Sequence, residues 1–463
     1  MQPSYNFLAH LIYLPVVIVL TWADAAGGSG HTTECLTIKS SPAQPGSFFN
    51  AMGNKFHRPI AVYLPPTAVL HGMILSIFFI PPILFLMQAG HYSRRAFIQQ
   101  LSLNAGLAFM TLDNLAMFSP VEENATAPRA SGTSIPRKLG IALVGLGKYA
   151  AGQLAPALQE TQACYLAGIV TGTPEKARDW KAKYNIPDAN IYNYDTFDNI
   201  RNNTDIDIVY VVLPNAMHAE YVIRAARAGK HVICEKPMAV TVEDCDRMIA
   251  ACKEAGKMLS IGYRLHFEPH NLQMKQLGQN KVYGALKKIK ADNGMGDAEG
   301  WRLDKKLAGG GPLMDVGIYC VQGARYTSGM EPIAVTAKEG PKTDPAKFAS
   351  VEQSLTWQME FPGGLTAECR SSYSEEMNLL RAEAEQGWFE LSPAFPYSGI
   401  KGRTSDGPMD LPQVNQQARQ MDDFAIAVST DRPTPVPGEM GRQDVKILQA
   451  IYKAMETGQR VEI

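Results

Sequence analysis

The feature that most narrows the fold is the run Leu139-Gly-Ile-Ala-Leu-Val144 leading straight into Gly145-Leu146-Gly147-Lys148-Tyr149-Ala150. A short unbroken apolar run is what a parallel strand buried on both faces requires. The glycines after it permit a tight turn and close approach of backbone to a pyrophosphate, which then lies at the positive N-terminus of the next helix, expected over 150–160. A lone GxGxxA is weak, because glycine turns also serve purely structural ends. Here it opens a longer alternation: a strand expected over 165–170, a helix over 174–184 and a third strand over 206–213. That is the βαβ rhythm of a doubly wound sheet.

The end of the second strand bears on which dinucleotide fits. An acid about 20 residues beyond the glycines binds the ribose 2′-hydroxyl of NAD. The chain instead reads Thr171-Gly172-Thr173-Pro-Glu-Lys176, offering hydroxyls, a backbone turn and an ammonium. Those groups suit a 2′-phosphate, so NADP(H) is expected in preference to NAD. Farther on, Leu213-Pro214-Asn215 with His218, and Glu235-Lys236-Pro237, place polar groups just after apolar strands. In open α/β sheets ligands bind at those carboxyl ends, so Lys236 is expected at the reactive end of the crevice.

At 463 residues the chain exceeds what one hydrophobic core organises, and two domains are expected. Forty-four basic against 45 acidic side chains give a net charge of −1. No general pull toward nucleic acid follows, and the expected partner is a small molecule. The seven cysteines show neither zinc-type pairing nor a disulfide framework. No metal site is expected, and the cysteines of the folded region read as buried thiols.

The first 138 residues read differently. His91-Tyr-Ser-Arg94-Arg95-Ala-Phe-Ile98, the apolar stretch 101–118 and then Ala125-Thr-Ala127 resemble a twin-arginine export signal over 87–127. Residues 1–86, with apolar runs at 7–22 and 68–87, read as an over-extended start ahead of Met87 or as a membrane-anchoring segment. Residues 128–138 read as an arm, 139–262 as the dinucleotide domain and 263–463 as the second domain. The mature protein is therefore expected outside the cytoplasm, in the periplasm, with the export machinery as a partner of its precursor.

Glu235-Lys236-Pro237 after such a strand, together with Asp315-Val-Gly-Ile-Tyr319, resembles the Gfo/Idh/MocA oxidoreductase family. Val144–Ala150, Ile261-Gly-Tyr-Arg264, Trp301-Arg302-Leu303 and Leu307-Ala-Gly-Gly-Gly311 are similar to its periplasmic glucose–fructose branch. The resemblance implies a second α/β domain whose open, mainly antiparallel sheet serves as substrate platform and as interface of a homo-oligomer, a dimer or tetramer. The pattern is compatible: 351–361 and 365–373 alternate around Pro362-Gly-Gly364, and 422–428 and 445–455 read as closing helices.

The resemblance also implies roles. Tyr319 would exchange a proton with the sugar hydroxyl, Lys236 would stand beside it and favour the phenolate, and Asp315 would position sugar or tyrosine. Arg264, Trp301 and Arg302 would line the nicotinamide and sugar crevice, with His266 a lesser candidate for the sugar. The 309–311 glycines would let backbone approach the ligand. The implied reaction is oxidation of an aldose to a lactone on bound NADP(H), followed by reduction of a second sugar on the same nucleotide. A nicotinamide-dependent glycosidase and a non-catalytic sugar or nucleotide sensor are the alternatives. One departure stands out: the branch's long proline-rich arm, which encloses a neighbour's cofactor, is represented only by 128–138, which puts cofactor retention in doubt.

Overall fold

The computed structural model describes residues 137–463, together with the backbone of 17–23 and 31–37. The expected export signal, the apolar run at 68–87 and the arm up to residue 136 lie outside the described residues. Within 1–128, Val17–Ala23 pairs antiparallel with His31–Thr37, Val17 opposite Thr37. Among the described residues no helix is long and apolar enough to cross a membrane.

The remaining chain begins with β1 (Leu139–Val144), whose residues 140–144 are all buried. It is followed by β2 (Cys164–Val170), α1 (Pro174–Tyr184), β3 (Ile191–Tyr192), β4 (Ile208–Val211), α2 (His218–Arg227), β5 (His231–Cys234), α3 (Val242–Glu254) and β6 (Leu259–Ile261). All six strands are parallel, in the order β3-β2-β1-β4-β5-β6. Sequential numbering reverses direction between β1 and β4, which opens a crevice at the strands' carboxyl ends. The helix expected over 150–160 is instead a π-helical turn, Ala150–Leu154, continued by Ala155–Ala157. Pro156 has no N–H to give to the carbonyl four residues back, so a regular α-helix does not propagate there.

The second layer carries α4 (Pro269–Gln279), β7 (Leu286–Gly294), a π-helical turn Leu313–Gly317 running into α5 (Ile318–Ser328), β8 (Ala334–Glu339), β9 (Ser354–Glu360), β10 (Thr366–Ser372), β11 (Met377–Ala384), β12 (Gly387–Leu391), β13 (Gly402–Thr404) and β14 (Gly407–Met409). α6 (Gln416–Thr430), α7 (Gly438–Thr457) and β15 (Val461–Glu462) close the chain. The nine-stranded sheet runs β14-β13-β12-β11-β7-β10-β9-β8-β15 and is antiparallel throughout except where β7 meets β10. The expected hairpin is present as β9 and β10, turned by Pro362–Gly364 with Gly363 and Gly364 at φ of 78° and 85°.

α6 reaches farther than expected, because its first turn is polar: Gln416, Gln417 and Gln420 are all buried, and Asn415 caps it by accepting from the Ala418 amide at 3.1 Å. Its apolar stripe, Met421, Phe424 and Ala425, packs into the same core as Ile141, Leu143 and Ile169 of the parallel sheet. Asp422 accepts from the amides of Gln162 and Ala163 just before β2, at 2.9 and 2.7 Å. The C-terminal segment therefore returns to complete the layer over the dinucleotide sheet. Truncating the fully buried Phe424 to alanine is expected to cost about 3–5 kcal/mol, to be read from the urea midpoint at constant slope.

Candidate active site

The glycine turn is built as a cradle. Gly145 sits at φ +94°, and a Cβ there would lie 2.4 Å from the Val212 carbonyl oxygen, so only glycine joins β1 to the turn. A Cβ on Gly147, by contrast, would meet nothing within 4 Å, leaving open space over the backbone at the start of the helical turn. Ala150 is fully buried against the sheet, as the third position of such a motif requires. Lys176 Nζ donates to the Leu146 carbonyl at 3.2 Å, which brings an ammonium from α1 onto the glycine turn beside Thr171 and Gly172. The neighbouring Glu175 is occupied with Arg178 at 3.3 Å. Lys148 points outward and pairs with Glu299. The open cradle and the ammonium beside it fit a dinucleotide carrying an extra phosphate.

At the carboxyl ends of β4 and β5 the chain forms two linked loops. His218 is fully buried with one ring nitrogen 2.8 Å from the Leu213 carbonyl oxygen and the other 2.9 Å from that of Pro237. Both nitrogens face backbone carbonyls, and the neutral ring donates to one of them, so His218 is packed between the two loops where a cofactor contact was expected. Burial lowers its pKa. Asn215 donates through Nδ2 to the Ala308 carbonyl at 2.8 Å, tying the same edge to the second domain.

Lys236 follows directly. Its ammonium donates to the Asp315 backbone carbonyl at 2.7 Å, lies 3.4 Å from the Asp315 carboxylate, and stands 4.7 Å from the Tyr319 ring centre. Arg302 Nε donates to the other carboxylate oxygen at 2.6 Å, and the Tyr373 hydroxyl reaches that oxygen at 3.3 Å. Burial alone would raise the pKa of Asp315, but Lys236 and Arg302 outweigh it and hold the group below the ordinary value. Burial likewise opposes the charge on Lys236, yet Tyr319, Asp315 and Glu235 raise its pKa. Glu235 is pushed up by burial, against Lys236 and a 2.7 Å hydrogen bond from Tyr210. A lysine held charged over the face of the tyrosine, with a carboxylate held ionised, is a constellation that can handle one proton beside a ligand hydroxyl.

The hydroxyl of Tyr319 finds a different cation. Arg264, 3% exposed, reaches it through a terminal nitrogen at 3.4 Å, and also donates to the Phe395 and Pro396 carbonyls and to Gln416. Its guanidinium lies 4.6 Å from the centre of the Tyr397 ring, which in turn packs on Tyr149 at 5.6 Å. Arg264, Tyr149 and Tyr397 thus form a wall joining the glycine turn to Tyr319. Trp301 flanks Arg302, whose guanidinium stands 5.0 Å from its ring centre.

His266 bonds to Gln322 at 2.7 Å, packs edge-on against Tyr326, is lowered by burial to about 4, and lines a small cavity together with Lys236 and Tyr319. One expectation about ligand contacts is corrected. The 309–311 glycines do not open space for a ligand. A Cβ on Gly310 would lie 2.0 Å from the Tyr452 hydroxyl and one on Gly311 2.5 Å from the Glu352 carbonyl oxygen, so the loop is pressed onto protein. Tyr373, Tyr397 and Gln416 were absent from the expected set. Each stands beyond a strand or at a helix start, where local pattern says nothing about what it faces.

Residues 139–263 match the family model described as oxidoreductase family, NAD-binding Rossmann fold, and residues 271–389 match the GFO/IDH/MocA C-terminal domain. The chain is 29% identical over 346 residues to D-xylose 1-dehydrogenase (NADP(+)) of Haloarcula marismortui, covering 72% of this chain and 95% of that one. It is 29% identical over 280 residues to D-glucoside 3-dehydrogenase of Escherichia coli, 56% of this chain and 79% of the relative. Among solved structures, the aldose-aldose oxidoreductase from Caulobacter crescentus complexed with glycerol is 43% identical, with a TM-score of 0.69 over 71% of this chain and 100% of that one.

Because the folded-state pKa of His266 lies near 4 while its unfolded value is near the ordinary 6.5, its contribution to stability is present above 6.5 and is lost as pH falls toward 4. Urea melts at pH 7 and 4.5 are expected to show a smaller acid loss in His266→Asn than in wild type.

Proposed function

The chain belongs to the Gfo/Idh/MocA oxidoreductase family, and on that premise we propose that it is an NADP(H)-dependent sugar oxidoreductase oxidising an aldose at C1 to the lactone. The observation that carries this reading is the meeting of Lys236, Asp315 and Tyr319 at the carboxyl edge of the parallel sheet, beside a glycine turn with room for a pyrophosphate. The xylose dehydrogenase and aldose-aldose relatives support an aldose as substrate. Lys176 on the glycine turn, with no acid at the end of β2, supports NADP over NAD.

When bound, the nicotinamide supplies the hydride acceptor or donor. The protein's residues manage the remaining proton and the geometry. Oxidation at C1 takes a hydride from the carbon and a proton from its hydroxyl, and Tyr319 accepts that proton. Arg264, at the tyrosine hydroxyl, fixes where that oxygen stands. Lys236, fixed by two oxygens of Asp315, keeps its charge against the ring face and cannot swing away. Asp315, ionised and gripped by Arg302 and Tyr373, holds that lysine in place. In the reverse direction Tyr319 returns the proton to the carbonyl of a second sugar, so the same residues serve a sugar-to-sugar exchange.

We place the working protein outside the cytoplasm on the strength of the Ser93-Arg94-Arg95 motif, with cell fractionation as the test. The outward face of the nine-stranded sheet, where Arg381 and Arg403 both pair with Glu390, is our proposed surface for a dimer or tetramer, to be checked by light scattering.

Tyr319→Phe is expected to lower kcat with aldoses by roughly 10²–10⁴-fold while NADPH binding, followed by fluorescence, stays unchanged. Lys176→Ala is expected to weaken NADPH about tenfold and leave NADH unaffected in the same titration. Mass spectrometry of the cofactor released on denaturing the purified protein decides between retained NADP(H) and a freely exchanging one.

A further inference from the structure

We propose that Glu352 is a positioning residue for this reaction: its buried carboxylate fixes the 309–311 loop and the start of the helical turn at Leu313, and so sets where Asp315 and Tyr319 stand against Lys236. The proposal rests on the functional reading above. Glu352 is 5% exposed and lies just ahead of β9, far along the chain from the residues it holds. It accepts from the Gly311 amide at 2.9 Å, the Leu313 amide at 3.2 Å and the Tyr452 hydroxyl at 2.7 Å.

Burial raises the pKa of Glu352 and its three hydrogen bonds oppose that; all three partners are neutral donors, which a carboxylate, accepting only, satisfies. Two are backbone N–H groups at the N-terminal end of a helical stretch, where unbonded donors and the peptide dipoles favour negative charge. The glycines make this approach possible. Side chains at 310 and 311 would run into Tyr452 and Glu352 themselves. The other end of the loop is held separately, where Asn215 of the dinucleotide edge donates to the Ala308 carbonyl at 2.8 Å.

The segment bearing the proton-handling groups is thus pinned from both domains. Asp315 and Tyr319 follow within the next two turns, and the Lys236 ammonium rests on the Asp315 backbone carbonyl, so movement of Leu313 is passed directly to the contact with Lys236. Glu352 touches neither cofactor crevice nor Tyr319. It acts through the backbone.

The test uses the full chain, with D-glucose and D-xylose as probes and NADPH binding followed independently by fluorescence. Glu352→Gln keeps volume but turns one acceptor into a donor facing a backbone N–H. We expect kcat to fall roughly 10- to 100-fold, with sugar KM and NADPH affinity changed less than about twofold, because misplacement acts on the reacting geometry. The isotope effect with C1-deuterated sugar is expected to rise. Tyr452→Phe removes one donor and leaves both backbone bonds, so its loss is expected to be smaller. Gly310→Ala pushes the loop away from the Tyr452 hydroxyl that Glu352 holds and carries the test should Glu352→Gln fail to fold; it too should lose kcat while retaining NADPH. An unchanged kcat in Glu352→Gln, or in a folded Gly310→Ala if that variant must stand in, overturns the proposal. A wild type inactive with both sugars overturns the functional reading and this role with it, and the two failures are told apart by the wild-type assay alone.

Discussion

The contact between Lys236 and Asp315 joins a loop of the parallel sheet to a helical turn of the second domain, and the site's other interactions make it tolerable. Two charges taken out of water lose hydration that their mutual attraction recovers only when every remaining lone pair and proton is satisfied. Here the ammonium has two oxygens of one residue, and the carboxylate has Arg302 and Tyr373 besides. The arrangement is a closed set of donors and acceptors drawn from both domains. Each partner is therefore worth more as a member than as a pair, since losing one leaves an uncompensated charge in a poorly polarisable surrounding. A lysine that cannot shed its charge cheaply is also a constant field beside the tyrosine.

Around that set the protein spends buried polar groups freely. Arg264 uses three partners to stand beside one hydroxyl, and His218 sits between two loops with a backbone carbonyl at each ring nitrogen. Such groups contribute little net stability where all are paired, but they leave few alternative arrangements of equal energy. Rigidity of this kind is what a reaction needs when hydride and proton must leave one carbon and its oxygen along fixed lines.

The parallel dinucleotide sheet was legible because a buried parallel strand needs an unbroken apolar run and a pyrophosphate turn needs glycine, both local demands. Lys236, Asp315 and Tyr319 were legible through spaced motifs, and the structure brings them together. What escaped depends on partners distant in sequence. The first turn of α6 is polar outside and polar inside, so Gln416, Gln417 and Gln420 gave no stripe to read. The glycines at 309–311 answer to Tyr452 and Glu352, well downstream, and looked like ligand-facing loop only because those neighbours were invisible. His218 offered the chemistry of a ligand, yet burial between two backbone carbonyls gave it to the scaffold. Tyr397 and Tyr373 owe their roles to where a loop and a strand end arrive.

The return of α6 to the parallel sheet has a consequence for the order in which the molecule is made. Met421 and Phe424 fill the core that Ile141 and Leu143 begin, about 280 residues earlier. A chain emerging from the N-terminus forms the strands of the dinucleotide domain long before the helix that seals one face of them exists. Closing so long a loop carries an entropic cost, and contacts of such separation slow folding. The nucleotide domain is therefore not an independent module to which a second domain was appended. Its hydrophobic face stays open until residues 416–430 have been synthesised, so the nucleotide fold is completed only after the strands within 286–409 of the other sheet have been made.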